Sequence, residues 1–208
     1  MQEQELRLKK IKSSCGIIRG FLRIALGVMA LFAVMYIWYG IKVAAAPESD
    51  FTVRELNNEL WVEMEGSSWA VGSIVPDYAA PGYIDIGYSV KRLQFVNMGL
   101  SAVLVLLPFT AMMWLALGIL DRVVKGEPPF CSGNIRALKG IGWIMLFMGL
   151  AVKVFYLLGI IYLAFGGHTR GMSILMDFGA AFTGGLLLVL VRVFEYGSYL
   201  QSEYDATL

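Results

Sequence analysis

The sequence is poor in charged residues, in cysteine and in histidine, and each shortage excludes a class of protein. Only 16% of its 208 residues are charged and 58% are hydrophobic, a balance too apolar for an ordinary soluble domain. Two cysteines cannot build a disulfide framework, and one histidine cannot supply paired haem ligands or a multi-histidine metal site. We therefore expect no catalytic site, no metal and no cofactor, and we expect that the chain is not an enzyme.

Four apolar runs are long enough to cross a bilayer, whose hydrocarbon core needs about 20 helical residues. They predict membrane spans at residues 17–41, 94–120, 140–165 and 172–194. The remaining segments are a polar loop at 42–93, a hinge at 121–139 and a tail at 195–208. The predicted fold is an all-α integral membrane protein, a single membrane domain of four transmembrane helices in two hairpins. A cleaved leader is the alternative for the first span, because the small residues at 43–46 resemble a signal-peptide cleavage site.

The loop at 42–93 has the composition of a small folded piece outside the membrane. Its residues 60–65 alternate between apolar and polar, which predicts a strand, and residues 69–75 and 83–90 are further strand candidates. Thr52 and Glu55 have capping-box spacing, which predicts the start of a short helix. We expect a sheet of two or three strands that covers the outer ends of the helices.

The basic residues predict the orientation of the chain. They cluster in the N-terminal flank and in the hinge, whereas the loop at 42–93 is acidic. The cluster members are Arg7, Lys9, Lys10, Lys12 and Arg19 in the flank, and Arg122, Lys125, Arg136 and Lys139 in the hinge. Because basic residues favour the cytoplasmic side of a membrane, we expect both termini and the hinge in the cytoplasm.

Two charged residues inside the predicted spans form a candidate intramembrane polar site. Lys153 lies near the middle of the third span, and Asp177 lies in the outer third of the fourth. A central lysine costs about 2.5–3.5 kcal/mol to insert, so it needs a partner, a carbonyl cluster or a wet cavity. Direct pairing with Asp177 is disfavoured because the two side chains lean in opposite directions, and a water-filled cleft is the alternative. Pro108 predicts a kink in the second span.

The fourth span also contains small residues that permit close helix packing and, at its end, two charged residues spaced to form an ion pair. Its small residues form two small-xxx-small pairs on adjacent faces, Ala180 with Gly184 and Ala181 with Gly185. Such pairs permit close helix contact, either within the chain or with a second copy. Arg192 and Glu195 stand three residues apart, a spacing that predicts an ion pair.

Two short motifs flank the second hairpin. They are Pro129, Phe130, Asn134 and Leu138 before the third span, then Gly197, Leu200, Glu203, Asp205 and Thr207 in the tail. Together with the four spans, they make nearly the whole chain resemble bacterial membrane proteins of domain-of-unknown-function family 2975. The resemblance implies an inner-membrane location and no activity. Because members of that family are often encoded near a small helix-turn-helix regulator, it also implies signalling or regulation.

Two hypotheses for function follow. The first is a non-enzymatic protein of the lipid bilayer that binds a partner, either a cytoplasmic regulatory protein or a second copy of itself, and does not bind nucleic acid directly. Its candidate surface joins the hinge and the tail: Pro129, Phe130, Asn134, Arg136, Leu138, Glu195, Gly197, Leu200 and Asp205, with Tyr196, Tyr199 and Tyr204 beside them. The alternative is a small transporter or permease-like subunit that uses Lys153 and Asp177.

Overall fold

The computed structural model describes residues 2–56, 59–65, 73–75, 89–128, 130–159, 162 and 177–205. Six α-helices and three strands lie in these ranges. The helices are α1 (Gln2–Ala45), α2 (Val90–Ser101), α3 (Leu107–Lys125), α4 (Ser132–Phe147), α5 (Lys153–Gly159) and α6 (Phe178–Asp205). The strands are β1 (Phe51–Leu56), β2 (Glu59–Met64) and β3 (Ser73–Val75).

Among the described residues, four helical stretches are long and apolar enough to cross a membrane, which confirms the predicted fold class. They are Lys12–Ala45, Val90–Lys125, Ser132–Gly159 and Phe178–Tyr204. Their large apolar side chains are widely exposed, for example Ile17, Phe21 and Trp114. An apolar surface of this extent is stable in contact with lipid and not with water. The chain is therefore a multi-pass membrane protein.

Two of the spanning stretches contain a π-helical segment. The first, Ala102–Leu106, separates α2 from α3, and the second, Met148–Val152, separates α4 from α5. Pro108 is the second residue of α3, and a proline lacks the N–H that would bond the carbonyl of Leu104. The π-helical segment therefore lies where Pro108 disrupts regular α-helical hydrogen bonding.

The strands form one antiparallel sheet in the order β1-β2-β3, as the alternation at residues 60–65 predicts. In its register Phe51 faces Met64 and Leu60 faces Val75. The helix start predicted from Thr52 and Glu55 is wrong: both lie in β1. Their capping-box spacing is local, whereas the pairing of β1 along β2 is not, and the pairing decides the conformation. The candidate strand at 83–90 falls outside the described residues except at Ser89, the N-cap of α2, and Val90, which begins that helix.

The hinge between α3 and α4 has a defined geometry. Gly126 has a φ of 87°, and its N–H donates to the Val123 carbonyl at 3.0 Å while the Glu127 N–H donates to the Arg122 carbonyl at 3.1 Å. These two bonds form a Schellman motif, which requires a left-handed residue and so favours glycine. Helix α4 then begins at Ser132, inside the segment that the sequence assigns to the hinge.

The chain divides into two compact units, each with its own buried residues. The first unit comprises Met1–Phe32, Leu107–Leu150 and Asp177–Leu208, and the second comprises Ala33–Leu106 and Ala151–Met176. In the second unit, Phe51 packs with Val43 and Leu93, which anchors the sheet to the ends of α1 and α2. Lys91 Nζ also donates to the carbonyls of Ala44 and Ala46, at 2.8 and 2.6 Å.

Candidate functional site

Close packing of α4 against α6 positions the candidate site of the first unit. A Cβ added at Gly184 would lie 2.5 Å from Leu146 N, and one added at Gly149 would lie 2.3 Å from Ala181 N. Neither position therefore accepts a larger residue unless the helices move apart. Ala181 and Gly184 are buried, whereas nothing lies within 4 Å of a Cβ at Gly185. The small-residue contact is thus made within the chain.

An open groove of about 350 Å³ lies between α4 and the later part of α6. Its lining residues are Ser132, Ile135, Arg136, Lys139, Glu195 and Ser198. Arg136 and Lys139 stand three apart on α4, one helical turn on the same face. The lining therefore contains two cationic groups, one carboxylate and two hydroxyls.

Glu195 forms contacts with two basic side chains at this groove. Its Oε2 accepts a hydrogen bond from Arg192 Nη1 at 2.8 Å, and its Oε1 lies 3.8 Å from Lys139 Nζ. The pairing predicted from the spacing of Arg192 and Glu195 is confirmed. Arg136 is exposed and makes no hydrogen bond or ion pair with the residues that the structure describes. The Glu195 carboxylate is thus bound mainly by Arg192. None of these contacts neutralises the charge of Arg136.

The beginning of α4 also packs on α3 and on α6. The rings of Phe130 and Phe194 meet edge to face, with centroids 5.1 Å apart and planes at 64°. Arg122 Nη1 donates to Asn134 Oδ1 at 3.2 Å, and Asn134 is buried. Asn134 therefore stabilises the packing of α4 on the end of α3 and does not belong to an outer surface.

A second charged cluster joins α1 to the end of α3. Asp121 Oδ1 lies 3.4 Å from Arg19 Nη1 and accepts a hydrogen bond from Arg23 Nη2 at 3.1 Å. A Cβ added at Gly126 would lie 2.9 Å from Lys12 Nζ. The basic flank and the hinge therefore lie at the same end of the first unit.

The last turns of α6 carry an exposed aromatic face. Tyr196, Tyr199 and Tyr204 are 63%, 60% and 67% exposed, and Leu200 is also exposed. Residues three, four and eight positions apart lie along one side of a helix. We call these four residues the aromatic face. Ser198, which lines the groove, lies on another side of α6.

Lys153 and Asp177 belong to different units. Lys153 is the first residue of α5, directly after the second π-helical segment; it is half-buried and has no hydrogen bond or ion pair to the described residues. Asp177 is exposed and precedes α6. Its Oδ1 accepts a hydrogen bond from Ala180 N at 3.1 Å, and its own N–H donates to the Gly149 carbonyl at 3.0 Å. Asp177 is therefore the N-cap of α6.

Comparison with known proteins gives one match. The family described as "Protein of unknown function (DUF2975)" matches residues 58–208. The chain belongs to this family. The match takes in β2 to α6 and begins after β1, so it is shorter than the nearly complete coverage expected from the motifs. Neither the comparison with curated proteins nor that with solved structures finds a match to this chain.

The two motifs on which the resemblance rests lie at two helix ends that the structure brings together. Asn134 and Leu138 lie in the first two turns of α4, and Phe130 lies two residues before that helix. Gly197 and Leu200 lie near the end of α6. Leu138 and Gly197 are half-buried. Pro129 and the side chain of Asp205 lie outside the described part of the chain. Both motifs thus border the groove, although each was identified separately in the sequence.

Several residues of the site were not singled out from the sequence. The ion pair of Lys139 with Glu195, the groove residues Ser132 and Ser198, and the role of Asp121 depend on which helices are neighbours. Asp121 had one local signal, an acidic residue among the basic residues of the hinge. In the described part of the chain, no group of three His, Cys, Asp or Glu residues is placed to hold a metal ion.

Proposed function

We propose that this DUF2975 protein is a non-enzymatic membrane protein that binds a cytoplasmic regulatory protein through the aromatic face of α6. The observation that carries the proposal is the exposure of Tyr196, Tyr199, Leu200 and Tyr204 on one side of a helix. Tyrosine supplies a large contact area at low entropic cost and is enriched in the cores of protein interfaces. The partner is expected to present an apolar groove that accepts such a helix face.

The aromatic face extends too far along α6 to be an aromatic belt at the membrane interface. The apolar part of α6 ends at Arg192, and Tyr204 is about 18 Å further along the helix at about 1.5 Å per residue. The headgroup layer is about 5–8 Å thick on each side of a bilayer. A helix near the membrane normal therefore carries Tyr204 beyond the headgroups, where lipid contact does not account for an exposed aromatic ring.

Orientation is part of the same proposal. The basic flank and the hinge lie at one end of the first unit, together with the end of α6, since Lys139 contacts Glu195. Basic residues favour the cytoplasmic side. The aromatic face is then in the cytoplasm, and the location we propose is a bacterial inner membrane with both termini inside.

Site-specific photocrosslinking in intact cells tests the proposal. A photoreactive phenylalanine analogue replaces Leu200 or Tyr204 on the aromatic face. Ser202 is two residues from each of them and therefore lies about 200° away around the helix, so it provides the control. We expect one discrete protein adduct from the Leu200 and Tyr204 positions, absent from the Ser202 position. Mass spectrometry of the adduct then identifies the partner.

Three results would count against this function. Equal adducts from Tyr204 and Ser202 would show contact without a defined face. An adduct that contains only this chain would replace the regulatory partner with a second copy. Reaction with lipid alone at Leu200 and Tyr204 would assign the aromatic face to the membrane surface.

A small transporter is the second candidate, and Lys153 favours it. A half-buried lysine in a spanning helix, without an ion pair to the described residues, is typical of a polar path through a membrane. The adjacent π-helical segment is also a feature that recurs at functional sites. A charge-removing substitution at Lys153 separates this candidate from the first, as argued below.

A further inference from the structure

We propose that the groove between α4 and α6 binds the phosphate of an anionic phospholipid headgroup. The groove is lined by Ser132, Arg136, Lys139 and Ser198, with Ile135 and Glu195 completing it. Arginine and lysine are the residues that proteins use to bind phosphate oxygens, and serine hydroxyls donate further hydrogen bonds to them. The α6 residues of this site, Glu195 and Ser198, do not belong to the aromatic face, and the site does not depend on the partner proposed above.

The charge balance of the groove favours an anion. Arg192 is the close partner of the Glu195 carboxylate at 2.8 Å, while Lys139 is 3.8 Å away, near the limit of an ion pair. Arg136 has no hydrogen bond or ion pair within the described residues. Arg136 is therefore left to interact with a ligand, and Lys139, whose ion pair with Glu195 is long, supplies a second cationic group beside it. The nearby N-terminus of α4 adds partial positive charge of the same sign.

The level of the groove favours a lipid over a soluble anion. Lys139 is the last charged residue of α4 before its apolar stretch, and Arg192 is the first charged residue after the apolar stretch of α6. The Lys139 to Glu195 contact brings these two transitions to the same height. Charged residues directly beyond an apolar span lie at the depth of the lipid phosphates. Basic pockets between spanning helices at this depth recognise anionic headgroups.

Lipid retention by the full-length protein tests the site. The protein is reconstituted in phosphatidylethanolamine vesicles with and without phosphatidylglycerol, extracted in detergent, and weighed with its retained lipids by native mass spectrometry. We expect selective retention of phosphatidylglycerol. Because one basic residue changes the binding of an anionic lipid about fivefold, Arg136→Gln should lower the retained ratio of the two lipids about fivefold. The double variant Arg136→Gln, Lys139→Gln should lower it further.

Lys125→Gln is the matched control, because Lys125 is exposed at the end of α3 and does not line the groove. It should retain phosphatidylglycerol as the parent chain does. Equal retention of the two lipids by the parent chain would overturn the proposal, as would the same ratio in Arg136→Gln and Lys125→Gln. Thermal stabilisation by inorganic phosphate in detergent, equal to that given by phosphatidylglycerol, would overturn the lipid assignment in favour of a soluble anion.

Discussion

The backbones of Gly142 and Gly184 meet across α4 and α6. A Cβ added at Gly184 would lie 2.8 Å from the Gly142 carbonyl oxygen and 2.5 Å from Leu146 N. At these distances the obstacle is backbone and not the flexible end of a side chain. The two glycines thus fix the helix separation on which the geometry of the groove depends.

We expect Gly184→Ala to lower the free energy of unfolding by about 1–3 kcal/mol, because overpacking forces the helices apart. The control is Gly185→Ala: nothing lies within 4 Å of a Cβ there, and alanine is the better helix former. Thermal unfolding in detergent measures both. Equal stability of the two variants would show that the α4 to α6 contact is looser than the structure indicates.

The same pair of helices shows what the sequence could and could not predict. The small residues at 180, 181, 184 and 185 indicate close packing but offer two faces. Gly142 on α4 and Gly149 in the π-helical segment that follows it contact Gly184 and Ala181, and so select one of the two faces. Local spacing in α6 does not indicate which helix is its neighbour. The four apolar helices and the ion pair of Arg192 with Glu195 depend on local patterns alone, and for that reason the sequence predicts them.

Thr52 and Asp177 show how local patterns mislead. Thr52 with Glu55 satisfies a capping box but lies in β1, because a paired strand outweighs a local cap signal. The sequence predicts that Asp177 is a charge inside the fourth span. In the structure Asp177 is the N-cap of α6, which starts one residue later. Its carboxylate accepts a hydrogen bond from a backbone N–H group, so it needs no buried counter-ion.

We expect Asp121→Asn to be more destabilising than Arg23→Gln. Asp121 Oδ1 serves both Arg19 and Arg23, so Asp121→Asn removes two ion pairs and leaves two guanidinium groups close together. Because all three side chains are partly exposed, the loss should be about 1 kcal/mol, and smaller at high salt. Thermal unfolding at low and high salt measures it. Equal losses from Arg23→Gln and Asp121→Asn would show that the Arg19 contact contributes nothing.

The orientation is tested by cysteine labelling with a membrane-impermeant maleimide. In a background with Cys15→Ser and Cys131→Ser, we expect Thr52→Cys in β1 to react in intact cells. Ser202→Cys in α6 should react only after the membrane is permeabilised, because the basic flank and hinge favour the cytoplasmic side. Both positions are exposed, so access is decided by the membrane. The reverse pattern would invert the proposed topology.

Lys153→Met should fold, insert and keep the photocrosslink at Tyr204. Methionine is similar in length to lysine. The substitution removes the free-energy cost of inserting the ammonium group, which is at most about 2.5–3.5 kcal/mol. Stability in detergent should therefore stay the same or rise. Lys153→Glu keeps a charge in the span and should accumulate poorly in membranes. If Lys153→Met has normal yield and stability but its strain behaves like a deletion strain, the charge itself is needed and the transporter replaces the partner-binding function.

Substitutions of Asp177 distinguish the partner-binding function from the transporter, because they test whether this residue only caps α6. Because asparagine caps a helix about as well as aspartate, whereas alanine costs about 0.5–2 kcal/mol, we expect Asp177→Asn to match the parent chain in thermal stability. Asp177→Ala should lose that amount, since the Ala180 N–H then lacks its acceptor.

The control for this prediction is Thr183→Ala in the same part of α6. Thr183 Oγ1 donates to the Gly179 carbonyl at 2.8 Å within the helix. This bond does not satisfy a free backbone N–H group, so Thr183→Ala should change the free energy of unfolding by no more than about 0.5 kcal/mol. If Asp177 only caps α6, Asp177→Asn also preserves the cellular phenotype. A variant Asp177→Asn with the stability of the parent chain and the phenotype of a deletion would show that the negative charge is required. The carboxylate would then have a role in transport, and the cap would be its second role.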